Sequence, residues 1–179
     1  MSGEPTAADL GEFGLIARLQ QRFARGGAGI VRGIGDDAAA LQPSPGQLLL
    51  VTTDAALEGV HFRTATTTPT ALGRRALAVN LSDIAAMAGT PRWALVSFGF
   101  PATTPVAFVD GLADGLAEEA GLYATEIIGG NIARSPDRIV ISITVLGEVP
   151  PEQVVYRTGA RPGDRLLATG TLGDSAAGL

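Results

Sequence analysis

Ile139-Val140-Ile141-Ser142-Ile143-Thr144-Val145-Leu146-Gly147 alternates with a period of two residues. Successive side chains of an extended chain point to opposite faces, so Ile139, Ile141, Ile143 and Val145 share one wholly aliphatic face. Val140, Ser142, Thr144 and Leu146 share the other, which is mixed. This pattern predicts a strand with one face buried inside the chain and a second face available to meet a partner.

Working outward, Leu48-Leu49-Leu50-Val51-Thr52-Thr53-Asp54 reads as a buried strand that ends in hydroxyls and an acid. Arg92 to Phe100 has strand composition, and Ala38 to Leu41 is expected to form a short strand before a turn over Pro43 to Gly46. Thr125 to Ile128 is expected to form a strand running into the pair Gly129-Gly130 and Asn131 at its end. Three segments carry helical spacing. Phe13, Ile16, Ala17, Leu19 and Phe23 define one, stopped by Arg25-Gly26-Gly27, with residues 1 to 10 expected to fray. Thr68-Pro69 opens the second as cap and first helical residue, and it runs to Ala88. Its apolar residues cover most of its girth, which predicts a buried helix. Pro105 to Ala120 is the third, with Asp110, Asp114 and Glu118 expected on a solvated face. Beyond a Pro- and Gly-rich connector, Leu166 to Gly170 reads as a strand and Gly173 to Leu179 as the first turns of a helix, so the terminus is expected to fall inside a second domain.

Composition closes off several function classes. The chain has 179 residues, no cysteine and a net charge of −5. Disulfides, thiolate nucleophiles and cysteine-bound zinc are therefore excluded. All 13 basic residues are arginine and they are scattered, so no basic stripe for nucleic acid is expected, and a Walker A loop, which needs lysine, is excluded. The apolar runs are too short to cross a bilayer and the first residues are acidic, so neither membrane insertion nor secretion is expected, and a cytoplasmic location follows. A hydrophobic content of 46% suits a chain that buries surface against a partner.

The chemistry concentrates on acids in small-residue settings. Gly33-Ile34-Gly35-Asp36-Asp37 places two carboxylates beside glycines that let a ligand approach, and it also reads as a polar turn. Asp54 closes the Thr52-Thr53 strand, and Asp83 lies one helical turn beyond Asn80. A carboxylate in a buried helix costs several kcal/mol (roughly) unless a cation or donors satisfy it. Asp37, Asp54 and Asp83, with the hard oxygens of Thr52 and Thr53, are thus expected to form a cage for two or more Mg²⁺ ions gripping a polyphosphate. His61 is the sole histidine and has no partner in sequence that would make it a general base.

Gly11-Glu12-Phe13, Gly33 to Asp37, Thr52-Thr53-Asp54, Glu58-Gly59-Val60-His61-Phe62, Ala78 to Met87, Gly129-Gly130, and Arg157 to Asp164 with Gly170 to Leu179 form an ordered set. The set resembles thiamine-monophosphate kinase, within a superfamily that includes aminoimidazole ribonucleotide synthetase, selenophosphate synthetase and the hydrogenase maturation ATPase. The resemblance implies an α+β fold: a mixed sheet with helices on one face whose strands join a second subunit in a dimer-spanning barrel, with residues 1–148 forming the N-terminal domain and 149–179 a connector and the start of a truncated second α+β domain. It implies ATP-dependent phosphorylation of thiamine monophosphate to thiamine diphosphate by a homodimer, with Mg²⁺ and without a covalent nucleophile. Asp37, Thr52, Thr53, Asp54, Asp83 and Asn131 are implied to hold Mg²⁺, Gly130, Asn131 and Arg157 to meet ATP, and His61 to lie near the thiamine substrate. Asn131 stands where the family commonly has Asp, which removes one negative charge from that position. Another ATP-using member of the superfamily, or a dimerisation fragment without activity, are the alternatives.

Overall fold

The computed structural model describes residues 4–23, 26–168 and 170–173. Nine elements follow in order: α1 (Ala7–Phe23), β1 (Ile30–Arg32), β2 (Ala40–Leu41), β3 (Leu48–Leu57), α2 (Pro69–Ala86), β4 (Thr90–Phe100), α3 (Val106–Leu122), β5 (Glu126–Arg134) and β6 (Val140–Val149). Four strands form a mixed sheet in the order β3-β6-β4-β5, in which only β4 and β5 run parallel. That parallel pair needs a crossover, and α3 supplies it. β1 and β2 make a separate two-stranded sheet.

β6 behaves as its alternation predicts. Ile141, Ile143 and Val145 are buried against the helices, while Val140, Ser142, Thr144 and Leu146 stay half-exposed on the opposite face. Val96 and Phe98 of β4 and Ile127 of β5 extend the same core. α2 and α3 pack together over it, and α1 lies outside against α3 and β5. Thr68 caps α2, its hydroxyl accepting from the Ala71 N–H at 3.2 Å, with Pro69 in the first turn where no hydrogen bond is lost.

Several expectations change. α1 begins at Ala7, which is buried, because Ala7 N–H donates to the Thr104 carbonyl and Thr6 forms a bridge with Pro105, so residues 7–10 are tied down instead of fraying. β3 is longer than predicted and mostly exposed: it is an edge strand with one face open, so of Leu48, Leu49, Leu50 and Val51 only Leu50 is buried. In the acidic row of α3 Glu118 is exposed as expected, but Asp110 and Asp114 are paired. Arg18 of α1 donates to Asp110 at 2.6 Å and Arg22 to Asp114 at 2.8 Å, and these pairs dock α1 on α3. Hydrogen bonding from Arg18, against an opposing desolvation, holds the Asp110 carboxyl below its ordinary range. Gly129 and Gly130 lie within β5, not at its end. A Cβ on Gly130 would sit 1.8 Å from the Val96 carbonyl oxygen, so the close approach of β4 excludes any side chain there. Leu166, Leu167 and Ala168 form no strand and are exposed, since no partner strand lies beside them among the described residues. Thr169 and the expected helix over 174–179 fall outside the described residues.

Candidate functional site

β3 and α2 build the site together. Alternation along β3 turns Leu50, Thr52, Asp54 and Ala56 towards α2 and leaves Val51, Thr53 and Ala55 on the open face. On α2, Arg75, Val79 and Asp83 recur every four residues and so form one row along the helix rim. Thr52 Oγ1 donates to Asp83 Oδ2 at 2.7 Å, which joins strand and helix at one end of this row. At the other end Asp54, His61 and Arg75 line a cleft of about 70 Å³ floored by Phe62, Leu72, Ala76, Ile141 and Ile143.

Asp83 is exposed, which corrects the expectation of a desolvated carboxylate on a buried helix. The stripes Leu77, Leu81 and Leu72, Ala76, Ile84 are buried, and Asp83 sits at the rim beside Val79 where their cover ends. Asn80 is the fully buried polar group of this helix. Its Nδ2 donates to the Ala76 carbonyl at 3.1 Å, and its Oδ1 has no partner among the described residues.

The remaining predicted residues do not all converge. Asp54 is exposed and accepts from the Ala55 N–H at 2.7 Å. Thr53 points away from Thr52: its hydroxyl donates to the Ile143 carbonyl and accepts from Thr144 at 3.1 Å. Asp37 lies in the bend after β1, where its N–H donates to Asp36, whose carboxylate pairs with Arg32 at 3.1 Å. That bend adjoins α1 through Gln20, which reaches the Ile34 carbonyl, so it belongs to the β5 side of the molecule. Asn131 is exposed on β5, opposite Ser97. β5 is separated from β3 by three interstrand steps, about 14 Å at ~4.8 Å each. Asn131 and Asp54 therefore cannot share one ion within this chain. Among the described residues no three His, Asp or Glu side chains group closely enough to hold a metal ion. Arg157 is exposed in the segment after β6 and makes no ion pair among the described residues. Sequence reasoning missed Arg75 and Phe62 as cleft residues; the four-residue spacing of Arg75, Val79 and Asp83 was the signal for the first.

What the open groove can hold is limited by its donors. Asp83 with Thr52 at one end, and Asp54 at the other, offer carboxylate and hydroxyl oxygens, the hard donors that a magnesium ion takes together with phosphate oxygens and water. Among the described residues no helix is long and apolar enough to cross a membrane.

Residues 35–149 match the family described as AIR synthase related protein, N-terminal domain. A thiamine-monophosphate kinase of Aquifex aeolicus is 42% identical over 171 residues, which is 96% of this chain and 52% of that protein. The crystal structure of thiamine-monophosphate kinase from Stenotrophomonas maltophilia superposes with a TM-score of 0.72 at 37% identity, covering 84% of this chain and 46% of that one. The structure of AaThiL complexed with AMPPCP and TMP matches at 37% identity with a TM-score of 0.62, over 89% of this chain and 48% of that one. The chain spans about half the length of the curated relatives it matches. By this match and by its fold, the chain belongs to the AIR synthase related family, whose N-terminal domain it carries, and within that family it is similar to the thiamine-monophosphate kinases.

Proposed function

We propose that the chain is the N-terminal half of a thiamine-monophosphate kinase, in which ATP phosphorylates thiamine monophosphate to thiamine diphosphate. The observation that carries this reading is the likeness to AaThiL, a structure complexed with AMPPCP and TMP, over 89% of the chain. The rim between α2 and β3 supports it, since Thr52 and Asp83 are joined there and Asp54, two residues further along β3, lines the neighbouring cleft. Mg²⁺ bound there supplies neutralisation of phosphate charge. The chain's own residues position: Asp54 and Asp83 hold hard-oxygen ligation sites, and Thr52 ties the strand to the helix. Phosphoryl transfer needs no covalent nucleophile. An oxygen of the acceptor phosphate attacks the γ-phosphorus in line, the bond to the β,γ-bridging oxygen breaks, and ADP leaves with that electron pair.

Asp37, Thr53, Gly130, Asn131 and Arg157 join this reading as further metal and ATP residues, but from the open face, the β5 side and the segment after β6. A homodimer closed over the open sheet face, with its exposed Val51 and half-exposed Thr144 and Leu146, gives acids from opposite edges a route to convergence that one chain lacks. In this reading residues 1–148 are the nucleotide and dimerisation domain, 149–179 lead into the second domain, and the enzyme works in the cytoplasm. The test is calorimetric titration of Mg²⁺ with AMPPCP into the parent chain, Asp54→Asn and Asp83→Asn. Each substitution is expected to weaken Mg²⁺-dependent binding at least about tenfold, about 1.4 kcal/mol. Unchanged affinity in both variants refutes the metal assignment.

A further inference from the structure

One end of the open sheet face is covered. Along β4, Ala94, Val96, Phe98 and Phe100 enter the main core, so Trp93 points to the opposite face, where it pairs with Leu146 of β6. Trp93 is nonetheless fully buried. The cover is the ribbon of β1 and β2: the indole Nε1–H donates to the Ala28 carbonyl at 3.2 Å, and a Cβ on Gly29 would lie 2.6 Å from Trp93 Cζ2. The ribbon is seated on the indole with no room for a side chain between them.

A buried carboxylate fastens the other strand of the ribbon. Glu148 lies on the same face of β6 as Leu146 and is buried. Its Oε1 accepts from the Ser44 N–H at 2.6 Å and its Oε2 from the Ser44 hydroxyl at 2.9 Å. Arg92 Nε stands 3.2 Å from the same Oε2. A bulge brings that arginine there: Pro91 pairs with Gly147 and Trp93 with Leu146, which leaves Arg92 as the extra residue of β4 and re-aims its side chain. A buried charge is costly even when paired, and an apolar replacement is often no less stable. Directional bonds to a charged acceptor at this spot therefore fix geometry more than they add stability.

Beyond these anchors the ribbon runs to its tip, between Arg32 and Ala40, which carries Asp36 and Asp37. Ile34 leans on the core, but both acids are exposed and their hydrogen bonds are local, from the Asp37 N–H and Arg32 to Asp36. The place of Asp37 is thus inherited from the ribbon. We propose that Glu148 and Trp93 are positioning residues for Asp37: together they clamp the base of the ribbon on the sheet and so fix where its acidic tip meets a metal ion. The inference rests on the function proposed above, in which Asp37 is a metal residue, and it has the clamp act through the ribbon without touching metal or nucleotide.

Trp93 is the sole tryptophan of the chain, so its fluorescence reports the seat of the ribbon. Acrylamide quenching and calorimetric titration of Mg²⁺ with AMPPCP are measured on the parent, Glu148→Gln, Ser44→Ala, Asp37→Asn and the two double variants with Asp37→Asn, all well below their thermal midpoints. Glu148→Gln keeps the size but puts an NH₂ donor where an acceptor stood, so it cannot receive every bond that Ser44 and Arg92 make. It is expected to raise the quenching constant at least about twofold and to weaken Mg²⁺-dependent binding about fivefold. Ser44→Ala removes only the hydroxyl donor and is expected to move both readouts the same way by less; its cycle decides the matter if Glu148→Gln does not fold. In the Asp37→Asn background either substitution is expected to weaken binding further by less than about twofold, because a residue that acts through Asp37 has nothing left to position. A general loss of structure would instead lower affinity equally in both backgrounds. Unchanged quenching in the clamp variants, parent-like binding by Asp37→Asn, or additive losses overturn the proposal while leaving the kinase reading in place. A parent chain that does not bind Mg²⁺ with AMPPCP sinks the kinase reading and the clamp's role together.

Discussion

Replacing Gly115 with alanine tests how α2 and α3 are held together. A Cβ on Gly115 would lie 2.0 Å from the Thr70 carbonyl oxygen and 2.8 Å from the Thr70 carbonyl carbon. Real Cβ atoms essentially never come within 3.0 Å of such atoms, so the helices must part by about 1 Å or more. The obstacle is backbone and cannot rotate aside. Two effects compete. Alanine gains about 1 kcal/mol over glycine in a helix interior. Overpacking of this kind costs about 1–3 kcal/mol and sometimes more, and here the displacement propagates along two helices that cover most of the sheet. The net expectation is a loss of about 2 kcal/mol, or a fall in thermal midpoint of about 4–8 °C for a chain of this size. Gly73→Ala should behave alike, since its Cβ would meet the Leu112 carbonyl oxygen at 2.2 Å. Gly111→Ala is the control: its nearest neighbour is the Pro69 Cβ at 3.0 Å, so strain and helix propensity nearly cancel. Differential scanning calorimetry of the three variants decides the matter. A Gly115→Ala protein as stable as the parent, or indistinguishable from Gly111→Ala, would refute the close helix contact.

Asn80→Leu removes a buried carbonyl oxygen that has no partner among the described residues, so urea unfolding should show stability unchanged or raised by up to about 1 kcal/mol. A loss above about 2 kcal/mol would reveal a partner for that oxygen and sink the argument. Asp110→Asn should cut stability at neutral pH and flatten its acid dependence. The native carboxyl titrates below its ordinary 3.8 because Arg18 bonds its charged form, so its contribution is complete above that value and fades as pH falls through it towards the lower native value. Thermal midpoints of parent and variant measured from pH 7 down to pH 3 should therefore converge in acid; a gap that widens there would contradict the linkage.

The elements were largely legible because local rules govern them. The alternation in β6 assigned its two faces correctly, and Thr68-Pro69 placed the start of α2 through a cap that depends only on neighbouring residues. Errors arose where a distant segment decides the outcome. Residues 7–10 are ordered by contacts with Ala102 and Thr104, nearly a hundred positions away, and Asp110 and Asp114 of α3 are claimed by arginines of α1. No periodicity encodes such pairings.

The motif residues were visible as types and spacing: carboxylates beside glycines and hydroxyls, too poorly excused by structure to be idle. Their grouping was not. Placing β3 and β5 at opposite edges is a property of strand order, which local propensity does not contain, and it separates Asn131 from Asp54. Equally, only the packing of α2 on β3 and β6 brings Phe62, Leu72 and Ile143 into one cleft with His61, because a cleft is the space left between elements and belongs to none of them.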